Sequence, residues 1–368
     1  MRHFPEQRVK LNGLCPYFTR FPLRFPLERM AKAHTGEWAL DPFCGCGTTL
    51  FAARLLGVNA VGVDGSRIAT IIARAKMQQL TPKAVIDRAT HILTSAPMTE
   101  TPKGPFWELC YAPETLEALC RFRASFTKSL LSPTDNALCA LLLGMLHGTN
   151  KGETRRFFSN RLPADFAPRP DDAVAVWTRR NLKPPACDVP SMIARRARLL
   201  LSEQPKAAGG SVHEADSRYI KLEALGRVFD WVVTSPPYYG MNSYSVDQWL
   251  RHWLVGGEAV PQYNTGRQIS QQTPDAYVAD LGKVWRNLAV ACRPGTRLVA
   301  RIGDVTGADA PPAVELLKAS LHNAAVGWKI YTCRAVRNTS PPSPSRPLFA
   351  PPAPKPVNET ELFARFEP

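Results

Sequence analysis

Two short strings in this chain hold the residue types that chemistry needs. The first is Asp41-Pro42-Phe43-Cys44-Gly45-Cys46-Gly47-Thr48-Thr49, an acid at the end of the apolar run WALD, a glycine turn, and then the apolar run LFAARLLG. Glycines let a backbone approach a ligand closely, and the free N–H groups at a helix start can hold a carboxylate. The string has neither a Walker lysine nor GxGxxG spacing, so binding of nucleotide phosphates is its weaker reading. Cys44 and Cys46 read as small packing residues rather than ligands.

The second string, Thr234-Ser235-Pro236-Pro237-Tyr238, follows the apolar run FDWVV. An aromatic amine is a poor nucleophile because its lone pair is delocalised into the ring. Acceptors directed at its N–H hydrogens orient and rehybridise it without a strong base. The Ser235 side chain and the Pro236 carbonyl can both accept, the prolines stiffen the turn, and the Tyr238 ring offers a surface on which an extruded base can stack. The alternative is a structural Pro-Pro turn with a packed tyrosine. Thr339-Ser340-Pro341-Pro342 repeats four of the five letters but continues with serine in a Pro-rich loop, so it is assigned no catalytic role.

Together the two strings resemble motifs I and IV of the S-adenosylmethionine-dependent amino-methyltransferases, which methylate adenine N6, cytosine N4 or, in RNA relatives, guanine N2. The resemblance implies S-adenosyl-L-methionine as cofactor. It puts Asp41 near the cofactor's amino group, Phe43 in its pocket, Gly45 and Gly47 under its backbone, and Thr48 and Thr49 near its carboxylate. Asp64 ends the next apolar run, seventeen residues past Gly47, where an acid can accept both ribose hydroxyls of a nucleoside; capping a helix ahead of Ser66 is the alternative. Asp216, in HEADSRY, matches the acid that contacts the adenine amine. Ser235, Pro236, Pro237 and Tyr238 become the catalytic residues. S-P-P-Y is commoner in the cytosine-N4 enzymes and D-P-P-Y in the adenine-N6 enzymes, which favours cytosine N4 in DNA. Adenine N6 and an RNA base amine remain alternatives, as does a catalytically silent DNA-binding subunit that keeps the fold. The chemistry implied is direct in-line transfer without a metal, and the chain has no Pro-Cys nucleophile motif for a cytosine-C5 mechanism. The upstream run YFTRFPLRFPLERM resembles a segment that closes over the cofactor, implying Phe18, Thr19 or Phe21 there.

The elements that must position these residues are α/β. WALD, PFCGCGTT, LFAARLLG and VNAVGVD read as strand, turn, helix and strand, with Gly57 at the helix C-cap. The rhythm resumes near 211 with SVHEAD, FDWVV at 229–233, a helix around 275–292 and TRLVARIGD at 296–304. It closes with WKIYTCRAV at 328–336 and ETELFARF at 359–366, read as an antiparallel hairpin at the sheet edge. The expected fold is a Rossmann-like class I methyltransferase sheet of seven strands, the last antiparallel, with a large inserted domain. The methyltransferase domain is expected in two parts, 1–76 and 207–368. Residues 77–206 form the insertion, with helical patterns near 113–146 and an expected role in target recognition. Trp249 and Trp253, four apart with leucines beside them, read as core.

Lys plus Arg total 46 against 31 acids, a formal charge of +15, which favours a polyanionic partner such as nucleic acid. Residues 151–206 hold twelve Lys and Arg against six acids, interleaved with Phe157, Phe158, Phe166 and Trp177, a composition suited to a nucleic-acid-facing surface. Double-stranded DNA with its target base flipped out is the expected partner, and the resemblance leaves room for a cognate restriction endonuclease in a restriction-modification pair. The start lacks the apolar core of a secretory signal and ALCALLLGML at 137–146 is too short to span a bilayer, so a cytoplasmic protein without membrane contact is expected. Nine scattered cysteines with no CxxC pair argue against a disulfide framework and a zinc site. The segment 338–356 is Pro-rich and cannot supply ladder donors.

Overall fold

A computed structural model describes residues 9–17, 20–97, 100–127, 131–150, 154–241, 246–262, 268–305, 311–336, 348–349 and 356–368. The strands are β1 (Trp38–Asp41), β2 (Asn59–Asp64), β3 (Gly210–Glu214), β4 (Phe229–Thr234), β5 (Cys292–Asp304), β6 (Trp328–Ala335) and β7 (Val357–Phe366). They form one seven-stranded sheet in the order β3-β2-β1-β4-β5-β7-β6. The first five run parallel, and β7 is antiparallel to both β5 and β6. This is the Rossmann-like sheet of seven strands with an antiparallel closing strand expected above. The central strands are buried on both faces, with Ala39, Leu40, Val232 and Val233 fully enclosed, which is why WALD and FDWVV read as continuous apolar runs rather than alternating ones.

The strand order reverses at β1. From there the chain builds β2 and β3 to one side, then returns to lay β4 against the other side of β1, with Ala39 opposite Trp231 and Leu40 opposite Val232. In an open parallel sheet a ligand crevice opens at the carboxyl ends of the strands where the order reverses. Both strings leave the sheet there.

Between β2 and β3 the described chain is helical: Arg67–Met77, Pro82–Ser95, Pro105–Cys110, Pro113–Phe126, Pro133–Leu143, Pro170–Arg179 and Val189–Leu201. Proline stands at the first turn of all but the first of these, where its missing N–H costs no intrahelical bond. Ile68, Ile71, Ile72 and Ala75 of Arg67–Met77 share one core with Leu119, Leu138, Leu142 and Trp177 of the later helices. Arg54 grips both junctions of this segment. Its guanidinium donates to the carbonyls of Lys76, Gln78, Pro205 and Lys206 and to the Gln79 side chain, at 2.5–3.1 Å.

Trp249 and Trp253, on the helix Trp249–Leu254, are buried against Phe106 and Trp107, as their spacing suggested. Phe158, Phe166 and Trp177 are buried too and Phe157 is half-buried, which corrects their assignment to a nucleic-acid-facing surface. The helix Ala313–Ala324, between β5 and β6, was not anticipated, although Ala313, Leu316, Leu317, Leu321 and Ala324 have helical spacing and are buried. Among the described residues no helix is long and apolar enough to cross a membrane. The decoy string at 339–342 and most of the Pro-rich segment lie outside the described residues.

Candidate active site

The two strings meet. Asp41 ends β1 and Thr234 ends β4, 193 residues apart in sequence, and the Thr234 hydroxyl donates to Asp41 Oδ1 at 2.7 Å inside the protein. The Thr49 hydroxyl donates to the Val233 carbonyl at 3.2 Å, a second tie between the glycine turn and β4. Above these ties opens a cleft of about 770 Å³, whose walls include Phe43, Gly45, Cys46, Thr48, Asp64 and Asp216 on one side and Ser235, Pro236, Pro237 and Tyr238 on the other. Its size is that of a small-molecule site.

The turn is built for close approach. Gly47 has φ 74° and a Cβ there would lie 2.8 Å from the Ala73 backbone, so the glycine lets the helix Thr48–Leu56 seat against its neighbour. The Gly45 N–H donates to Asp64 Oδ2 at 2.8 Å, and the Ser66 N–H donates to Asp64 Oδ1 at 2.9 Å. Asp64 thus holds the turn while lining the cleft, and burial raises its carboxyl pKa against the pull of those two N–H groups. Cys44 and Cys46 are largely buried but both reach the cleft wall, and Cys46 Sγ lies 3.7 Å from the Thr48 hydroxyl.

Asp41 lies beneath the cleft, 1 % exposed. Its Oδ1 accepts from Thr234 and from the Phe43 N–H at 3.1 Å, while Oδ2 is buried with no hydrogen-bond partner. Burial pushes its carboxyl up to about 6, opposed by the Thr234 and Thr49 hydroxyls and the Phe43 N–H. A buried carboxylate oxygen left without a partner is costly, and a cationic ligand group supplies what it lacks. Thr49 is fully buried, bonds the Val233 carbonyl and stands beside the Asp41 carboxylate rather than on the cleft wall; Thr48 reaches the wall.

Asp216 lines the cleft, but its carboxylate accepts from the Arg218 guanidinium at 2.6–3.1 Å, and Arg218 reaches on to Asp280 at 2.6 Å. The Ser217 hydroxyl donates to the Pro42 carbonyl and ties this loop to the first string. Asp64, Glu214 and Asp216 stand on the cleft wall together with Arg20 and Arg67.

At the other side Ser235 Oγ lies 2.9 Å from the Arg301 carbonyl and 3.4 Å from Tyr238 Oη. The Tyr238 hydroxyl donates to Glu359 at 3.1 Å, and the Tyr277 hydroxyl donates to the Pro237 carbonyl at 2.7 Å. The Pro236 carbonyl and Ser235 Oγ thus belong to a turn held from several directions. Sequence reasoning missed Arg20, Arg67, Asp165, His252, Arg301 and Glu359 on the cleft wall. A charged residue inside an apolar strand run, as in LVARIGD, was a usable signal for Arg301. Phe21 is on the wall; Phe18 and Thr19 lie outside the described residues. Among the described residues no group of three His, Cys, Asp or Glu side chains could hold a metal ion.

No protein-family model matches the chain. Over 76 residues it is 34% identical to the type II methyltransferase M.MjaII of Methanocaldococcus jannaschii, a match spanning 20% of this chain and only 14% of that relative's length. Among solved structures, the rRNA methyltransferase aviRa from Streptomyces viridochromogenes aligns over 97% of this chain and 93% of its own, at 13% identity and a TM-score of 0.36. A TehB-like SAM-dependent methyltransferase from Corynebacterium glutamicum aligns over 94% and 88%, at 9% identity and 0.34. At these scores neither adds to what the strand order itself shows.

Proposed function

We propose that the chain is an S-adenosylmethionine-dependent methyltransferase acting on an exocyclic amine of a DNA base, with cytosine N4 as its target. The observation that carries this is the 2.7 Å bond from Thr234 to Asp41, which brings the glycine turn and the Ser-Pro-Pro-Tyr string to one cleft. The short match to a type II methyltransferase supports it.

The residues present suit the cofactor. Asp41 Oδ2 is a buried acceptor without a partner, the turn at Gly45 is open, since a Cβ there would meet nothing within 4 Å, and Asp64 and Asp216 both stand on the wall. Asp41 would take the amino group, Gly45, Gly47 and Thr48 the methionine end, Phe43 and Asp216 the base, and Asp64 the ribose. When bound, the cofactor supplies an electrophilic methyl group. Ser235 and the Pro236 carbonyl then hold the target amine by its hydrogens, and Tyr238 stacks on the base. Catalysis is positioning and electrostatics. The inserted helical segment serves target recognition.

Calorimetry with S-adenosylmethionine alone tests the cofactor half: binding without DNA is expected, and Asp41→Ala should abolish it. Transfer of a tritiated methyl group to duplex DNA and to RNA tests the substrate half. Label in RNA alone would overturn the DNA assignment.

A further inference from the structure

An amine that gains a methyl group ends with one proton too many. In this chain a serine heads the Pro-Pro-Tyr string, and a serine hydroxyl is not itself a base at neutral pH. The proton needs a further acceptor.

We propose that Glu359, on β7, is that acceptor, a positioning residue that works on the amine through Tyr238 and Ser235; the inference rests on the function proposed above. Three contacts form the path. Ser235 Oγ lies 3.4 Å from Tyr238 Oη, the Tyr238 hydroxyl donates to Glu359 Oε1 at 3.1 Å, and Glu359 Oε2 accepts from Arg301 Nη2 at 3.0 Å. Because the single phenolic proton is given to Glu359, the Tyr238 oxygen faces Ser235 as an acceptor, so the chain of bonds has one direction: serine to tyrosine to carboxylate. At rest the Ser235 proton has an alternative in the Arg301 carbonyl at 2.9 Å, which leaves the serine lone pairs for the amine hydrogens.

The placement of Glu359 is built. It lines the same cleft as Ser235 and Tyr238. Opposite it β5 carries Gly303, where a Cβ would sit 3.0 Å from Glu359 Cγ, so the glycine makes room for the side chain to lie toward the cleft. Arg301, itself 6 % exposed, fixes the second carboxylate oxygen. Hydrogen bonds in such a chain polarise one another, so the carboxylate strengthens Ser235 as an acceptor just as charge develops on the amine.

The step balances. The N–C bond to the methyl group forms, the S–C bond breaks, and its electron pair stays on sulfur. The surplus N–H proton goes to Ser235 Oγ, the Ser235 proton to Tyr238 Oη, and the Tyr238 proton to the Glu359 carboxylate. Both hydroxyls are restored and Glu359 holds one proton, which it returns to solvent.

The test compares wild type, Glu359→Gln, Tyr238→Phe and the double variant, with tritiated-methyl S-adenosylmethionine and sheared genomic DNA as the probes. Glutamine still accepts the tyrosine hydrogen bond but takes no proton, so it separates proton transfer from positioning. Each single change should lower kcat by about a hundredfold. KM for DNA and the calorimetric Kd for S-adenosylmethionine should stay within a few-fold, and the double variant should be no worse than the poorer single one, because the path is cut once. Wild-type kcat in Glu359→Gln would overturn the relay and leave the proposed function standing. No methylated base from the wild type would overturn both. If Glu359→Gln does not fold, Tyr238→Phe decides alone, since it leaves the Arg301 pair intact: a lost kcat supports the relay and an undiminished one refutes it.

Discussion

Asp41 lies beneath the cleft wall rather than on it, with its carboxyl buried, pushed up to about 6, and its Oδ2 without a hydrogen-bond partner. A cationic group is attracted only by the ionised form, so binding of S-adenosylmethionine should weaken as pH falls below 6, by up to about tenfold per unit. Asp41→Asn should remove that dependence while keeping the Thr234 contact; calorimetry between pH 5 and about 8 reads both. Ser235 and Tyr238 address the base instead. Ser235→Ala should lower methyl transfer by roughly a hundredfold, about 3 kcal/mol, and leave cofactor affinity within a few-fold. Initial rates and calorimetry on one preparation separate the two effects. Cys44→Ser and Cys46→Ser should change cofactor binding little, because serine is close to cysteine in size and can keep the contact of residue 46 to the Thr48 hydroxyl. A loss of binding in the cysteine variants alone would overturn the roles given to the turn.

Among the elements, the joint between the sheet and the inserted helices rests on Arg54, which is 2 % exposed and satisfies four carbonyls at once. Arg54→Ala should destabilise the protein by about 3 kcal/mol, read as a lower urea midpoint, because the buried contacts to the Lys76 and Pro205 carbonyls are lost and those acceptors are left without a donor. The glycine turn and β4 were legible in the sequence because their signals are local: an acid, two glycines and a threonine pair between apolar runs. Glu359 was not, since its value comes from pairing with Arg301, 58 residues away, across strands whose partners a linear reading cannot assign. The aromatics at 158, 166 and 177 misled for a related reason. Arginines alternate with them in sequence, but each ring turns inward against helices from elsewhere in the chain while the arginines Arg156, Arg161, Arg179 and Arg180 stay exposed. The helix Ala313–Ala324 carries a readable apolar spacing, but it lies in the stretch between TRLVARIGD and WKIYTCRAV, to which no element was assigned.

For the whole molecule, the reversal of strand order at β1 unites the parts: it brings together two strings 193 residues apart and leaves the inserted segment beside the cleft they form. Asp165, from that segment, stands on the cleft wall, and the exposed Arg156 and Arg161 precede it on the same stretch of chain. With a formal charge of +15, DNA binding should be steeply salt-dependent. Arg156→Ala with Arg161→Ala should weaken it and reduce the log–log salt slope by about one unit for each phosphate no longer neutralised, measured by fluorescence anisotropy; an unchanged slope would move the DNA surface elsewhere. The central claim is methyl transfer to a cytosine amine at the joined strings. It is tested most directly by incubating duplex DNA with the protein and S-adenosylmethionine carrying a deuterated methyl group, then digesting the DNA to nucleosides for mass spectrometry. Labelled N4-methylcytosine from the wild type, and almost none from Ser235→Ala, is the expected result. Labelled N6-methyladenine would contradict the choice of base, and equal labelling by wild type and Ser235→Ala would contradict the site itself.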